Sequence, residues 1–117
     1  MRLGGYSTLV ALATSLALLT TAAHSLADEG PEQIVVTIEN HRFRPDEIRV
    51  KAGTPFTLVV TNKDAKPEEI ESKDLRVEKV IPAGRTASIR VRALKPGTYP
   101  FFGEFNPTTA RGRIVAE

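Results

Sequence analysis

Short runs of β-branched and apolar residues, cut by turn residues about every 8–12 positions, constrain the fold of this 117-residue chain more than any other feature. Gln33 to Glu39, Glu47 to Lys51, Phe56 to Thr61, Thr86 to Val91, Thr98 to Phe102 and Gly112 to Ala116 each read as a strand. Breaks fall at Ala52-Gly53-Thr54-Pro55, Asn62-Lys63-Asp64, Pro82-Ala83-Gly84 and Lys95-Pro96-Gly97. No helix of ordinary length and no internal repeat is visible, so the pattern predicts an all-β sandwich. The stretch from Glu68 to Lys79 carries five acids interleaved with Lys73, Arg76 and Lys79. Its periodicity chooses neither strand nor helical turn.

The N-terminus follows another rule. Arg2, the apolar run Leu9 to Leu19 and the small residues leading to Ser25-Leu26-Ala27 form the pattern of a secretory signal peptide over residues 1–27. The apolar run is too short to span a bilayer. Cleavage is expected after Ala27, with Ala23 the alternative, which leaves residues 28–117 as one exported domain. Of sixteen basic side chains only Arg2 falls in the leader, so the remainder nearly balances fourteen acids. Interspersed, near-neutral charge offers no stripe for nucleic acid and no basic helix for a membrane surface, and no direct membrane insertion is expected.

Exported domains of this size are often held by disulfides, but the chain has no cysteine. Its core must hold the fold alone, and no thiolate exists for catalysis or soft-metal binding. Met1 and His24 lie in the leader, leaving His41 as the only imidazole. A Ser or Cys nucleophile with a paired base cannot be assembled, and no glycine-rich phosphate loop is present, which excludes hydrolase and nucleotide-enzyme readings.

The run F-R-P-D-E-I-R-V-K-A-G-T-P-F-T-L-V-V-T-N-K-D from Phe43 to Asp64, the segment K-P-G-T-Y-P-F-F-G from Lys95 to Gly103 and the closing strand resemble a cupredoxin over nearly the whole domain. The resemblance implies a Greek-key β-sandwich of about seven or eight strands. Blue-copper cupredoxins take a cysteine thiolate, two histidines and a methionine. At the matching positions stand Gly103, Glu68, Asn106 and Thr109 or Ala110. A blue-copper site needs its thiolate and imidazoles, so type 1 copper is excluded.

The strings N-H-R-F-R-P, P-E-E-I-E-S-K-D-L-R-V-E-K and G-E-F-N-P-T-T-A narrow the resemblance to cupredoxin-like domains of bacterial periplasmic iron-uptake systems of the Efe and Ftr types. The family loop reads G-E-F-H, whereas this chain has Asn106. The resemblance implies a carboxylate-rich site for iron (Fe2+/Fe3+) or copper, with a periplasmic iron-binding protein and a membrane iron permease as partners. It brings together His41, Glu68, Glu69, Glu71, Glu104 and Asn106, with Glu68 as the inward carboxylate. Side chains alternate along an extended segment, so Glu68 and Glu69 are expected to face opposite ways.

Each candidate also has an ordinary reading. The Glu68 to Lys79 stretch fits a solvated face, His41 beside Arg42 and Arg44 fits a loop histidine, and Asn106-Pro107 fits a turn. Phe43, Phe101, Phe102 and Phe105 are expected to pack inside, and Tyr99 suits a corner tyrosine. The functional expectation is a periplasmic metal-binding protein of ferrous-iron uptake, with ferrous-iron oxidation left open. The alternatives are a metal-free docking module and a periplasmic copper-binding protein.

Overall fold

The computed structural model describes residues 32–117, together with residues 2–5, 13 and 17. The signal peptide expected over residues 1–27 lies, but for those few positions, outside the described residues. Nine strands follow in order: β1 (Glu32–Glu39), β2 (Arg42–Arg44), β3 (Glu47–Val50), β4 (Phe56–Asn62), β5 (Glu68–Ser72), β6 (Val77–Ile81), β7 (Thr86–Val91), β8 (Gly97–Gly103) and β9 (Arg111–Ala116). The all-β class is as expected, with nine strands in place of seven or eight.

The strands form two mixed sheets, one ordered β2-β1-β4-β7 and the other β3-β9-β8-β5-β6. Strands β1 and β4 pair in parallel, as do β3 and β9, and the remaining pairs are antiparallel. Each sheet turns one face inward. Val36, Ile38, Leu58 and Val60 from the first sheet meet Ile48, Ile70, Phe101 and Ile114 from the second in one buried cluster. Phe43 and Phe101 pack edge to face with ring centroids 4.9 Å apart, a geometry worth about 0.5–1.5 kcal/mol beyond the area it buries. The Tyr99 hydroxyl donates to the Lys95 carbonyl at 2.8 Å, the bond of a corner tyrosine. Phe102 and Phe105 depart from expectation, being 36% and 48% exposed.

The unassigned charged stretch is a hairpin, with β5 and β6 joined through residues 73–76. Its pattern is opaque because β5 turns Glu68, Ile70 and Ser72 inward, two polar residues where an apolar alternation would be legible. Ser72 is accommodated there because its hydroxyl donates to the Pro100 carbonyl at 2.7 Å and accepts the Leu75 amide. Strand β6 buries only its ends, Val77 and Ile81, as an edge strand can.

Candidate metal centre

The alternation of β5 creates two acidic environments. Glu68 faces inward and is 1% exposed, whereas Glu69 and Glu71 face outward and are half-buried. Glu104 follows β8 and is held beside them by its own amide, which donates to the Glu69 carbonyl at 2.8 Å. Among the described residues, Glu69, Glu71 and Glu104 are the group whose ligand oxygens all lie within 4.8 Å of one another. Glu78 stands directly opposite Glu71 across the β5–β6 hairpin.

Hydrogen bonding within the group, desolvation and like charges together govern their protonation. The Glu71 carboxyl is raised from an ordinary 4.5 to about 7, first by a hydrogen bond with Glu104, then by desolvation, and then by the negative charges of Glu104, Glu78 and Glu69. Glu69 is raised chiefly by desolvation, then by a hydrogen bond with Glu78 and the charge of Glu104. Protonation of Glu71 and Glu69 is thereby favoured over the charged forms.

Glu68 has a different task. Its Oε1 accepts the amides of Phe105 and Glu69, each at 3.0 Å, and its Oε2 accepts from Asn106 Nδ2 at 2.6 Å. Both oxygens are therefore engaged by protein donors, and the carboxylate ties the loop after β8 to the sandwich. Gly103 leaves room for it: a Cβ there would stand 2.7 Å from the Glu68 carboxyl carbon and from Ala110 Cβ. Asn106 serves the same tie, its side chain spent on Glu68.

His41 is not drawn into the carboxylate group. Asn40 and His41 have φ of 53° and 56°, forming the two-residue turn of the β1–β2 hairpin. Asp64 supports this strained turn by accepting both backbone amides, at 2.8 and 2.9 Å, and lies 3.6 Å from His41 Nδ1. The six expected residues thus divide into an outward carboxylate group (Glu69, Glu71, Glu104), an inward clasp (Glu68, Asn106) and a turn histidine. Sequence reasoning left Glu78 within the solvated face of the Glu68 to Lys79 stretch. The signal that could have found it is the hairpin itself, which puts position 78 across from 71.

The donor set does not fit type 1 copper, since the chain contains no cysteine to supply its thiolate. Three convergent carboxylates do fit a hard or borderline cation.

Comparison with known proteins places this geometry in context. The profile of the cupredoxin-like domain matches residues 8–116. Uncharacterized protein RP394 of Rickettsia prowazekii (strain Madrid E) is 37% identical over 83 residues, covering 71% of this chain and 66% of that protein, just under two thirds of its length. The metal binding domain of the Streptococcus pneumoniae D39 Cu(I) exporting P-type ATPase CopA superposes with a TM-score of 0.68 at 16% identity, over 77% of this chain and 89% of that one. Auracyanin A, a blue copper protein from Chloroflexus aurantiacus, superposes with a TM-score of 0.64 at 17% identity, over 75% of this chain and all of that one. At such identities the likeness concerns the fold.

Proposed function

The chain belongs to the cupredoxin-like domain family, and from that premise we propose that it is a periplasmic metal-binding protein of a ferrous-iron uptake system, holding its ion at Glu69, Glu71 and Glu104. The observation that carries this reading is the convergence of those three carboxylates on one exposed face. All-oxygen donors suit iron better than Cu(I), which prefers soft sulfur ligands such as the cysteine thiolate this chain lacks. Clustered negative charge favours Fe3+ over Fe2+, so a bound ferrous ion would be easier to oxidise. The likeness of the Glu68 to Lys79 and Gly103 to Ala110 strings to iron-uptake domains supports the system, with a periplasmic iron-binding protein and a membrane permease as the partners proposed.

The test is thermal unfolding of the protein with Fe2+ under anaerobic conditions and, separately, with Cu2+. A ligand bound only by the native state stabilises it by about 2.7 kcal/mol at a hundredfold excess over Kd. The expected result is a raised Tm with Fe2+ that disappears in the Glu71→Gln, Glu104→Gln double variant. No rise with either ion would replace the reading by a metal-free docking module. A copper carrier is the second reading, favoured by the copper named for the structural neighbours. Cu2+ outranks Fe2+ at most N/O sites, so competition between the ions rather than affinity for one of them separates the two.

The raised Glu71 pKa sets the pH dependence. A carboxyl with a native pKa above its unfolded value binds protons on folding, so its contribution to the native state is fully present below the unfolded value of 4.5 and is lost progressively as pH rises to about 7. A cation competes with the same proton. Metal affinity is therefore expected to climb between pH 5 and 7 and level above it, with proton release on binding seen as a buffer-dependent heat in calorimetry. Glu71→Gln removes the climb. An affinity independent of pH across this range would place the ion elsewhere.

A further inference from the structure

On the same five-stranded sheet, two strands away from the carboxylates, the charge reverses. Glu71 pairs with Phe102, and Phe102 pairs with Arg111. Arg111 and Asp46 line two adjoining cavities of about 400 and 310 Å3. Arg113 borders the larger cavity, and Arg42 and Arg44 border the smaller. Asp46 is the one carboxylate in either wall, so the guanidinium groups outnumber it four to one.

These arginines differ in what holds them. Arg113 bonds Glu47 through Nε at 2.9 Å, so much of its charge is already balanced. Arg111 gives its Nε to the Pro107 carbonyl at 2.7 Å, a neutral acceptor that orients the guanidinium and leaves its charge uncompensated. Among the described residues, no carboxylate lies within ion-pair distance of Arg42, Arg44 or Arg111. The short hairpin β1–β2 fixes Arg42 and Arg44 on either side of the buried Phe43, so both project to the same side of a three-residue strand. Glu39 stands across the hairpin from Arg42 and Asp46 lines both cavities, yet with none of the three guanidiniums in an ion pair the wall keeps a net positive potential, and guanidinium groups bind carboxylate and phosphate oxygens in pairs.

We propose that the adjoining cavities walled by Arg42, Arg44 and Arg111 bind a small polyanion carrying two or more carboxylate or phosphate groups. Their volumes lie in the range of small-molecule sites. The site is separate from the carboxylate group and does not depend on a metal being bound there. Asp46 opposes the ligand and limits its affinity.

The experiment is isothermal titration of the metal-free protein with citrate and with pyrophosphate, mapped by amide chemical shifts. Saturable one-to-one binding is expected for at least one probe, with shifts concentrated at residues 42–46 and 109–113. Acetate and inorganic phosphate should bind at least about tenfold more weakly, because each can engage fewer guanidiniums. Arg44→Gln and Arg42→Gln, both exposed on a strand whose fold rests on Phe43, should each weaken binding about tenfold, and Asp46→Asn should tighten it. The proposal is overturned if neither probe saturates, if the arginine variants bind as the unaltered protein does, or if Asp46→Asn weakens binding.

Discussion

Replacing Glu68 by alanine is expected to lower stability by about 3 kcal/mol, a fall in Tm of roughly 12–24 °C for a domain of this size. Three donors lose their acceptor together: the amides of Phe105 and Glu69 and the side chain of Asn106. The site is closed to solvent, so water does not replace the carboxylate at little cost, and the space it leaves adds a cavity contribution. Glu68→Gln should behave differently. Its amide oxygen can still accept the two backbone amides, and its NH2 can donate to Asn106 once that side-chain amide turns over, so the loss should be about 1 kcal/mol. Metal titration then separates two roles. If Glu68 acts by holding Phe105 and Asn106 next to Glu104, Glu68→Gln keeps metal binding and Glu68→Ala weakens it. If Glu68 were itself a ligand, the Gln variant would fold yet lose the ion.

The second large effect is expected from Gly112→Ala, at about 2–3 kcal/mol destabilising by chemical denaturation. Gly112 pairs with Phe101 across β8 and β9, and an added Cβ would overlap the Phe101 ring. The same Cβ would stand 2.9 Å from the Asp46 carbonyl, which accepts the Arg113 amide where β3 begins. Neither neighbour can yield easily. Phe101 is 2% exposed and packed on Phe43, and the carbonyl is backbone. Combining Gly112→Ala with Phe101→Leu relieves the overlap, so the double variant should lose less than the sum of the two single losses. Strict additivity would mean that the ring and the new methyl do not meet.

The fold was legible because most strands bury what their sequences advertise. In Phe56–Asn62 the apolar Phe56, Leu58 and Val60 are buried, and in Arg111–Ala116 Ile114 and Ala116 are, so along these positions local pattern and tertiary placement agree. The hairpin β5–β6 was not legible, since Glu68 and Ser72 face inward only because Phe105, Asn106 and Pro100 meet them there. Those partners lie 28 to 38 residues away in the chain, and no local period records them. His41 illustrates the same divide. Its neighbours suggest a ligand or a loop histidine, and the positive φ of the β1–β2 turn, supported by Asp64 from 23 residues on, makes it a turn residue.

What the sequence by itself determined is therefore the all-β class, the cupredoxin-like framework and the exclusion of blue copper, each of which depends on residue type and short-range order. Only the tertiary structure decided which carboxylates stand together. The alternation already expected for Glu68 and Glu69 also turned Glu71 outward, and pairing brought Glu104 and Glu78 to that outer face. The four arginines around Asp46 were likewise scattered along the chain until β2, β3 and β9 met. Charge proximity is a property of three-dimensional distance, and sheet register is what sets that distance here.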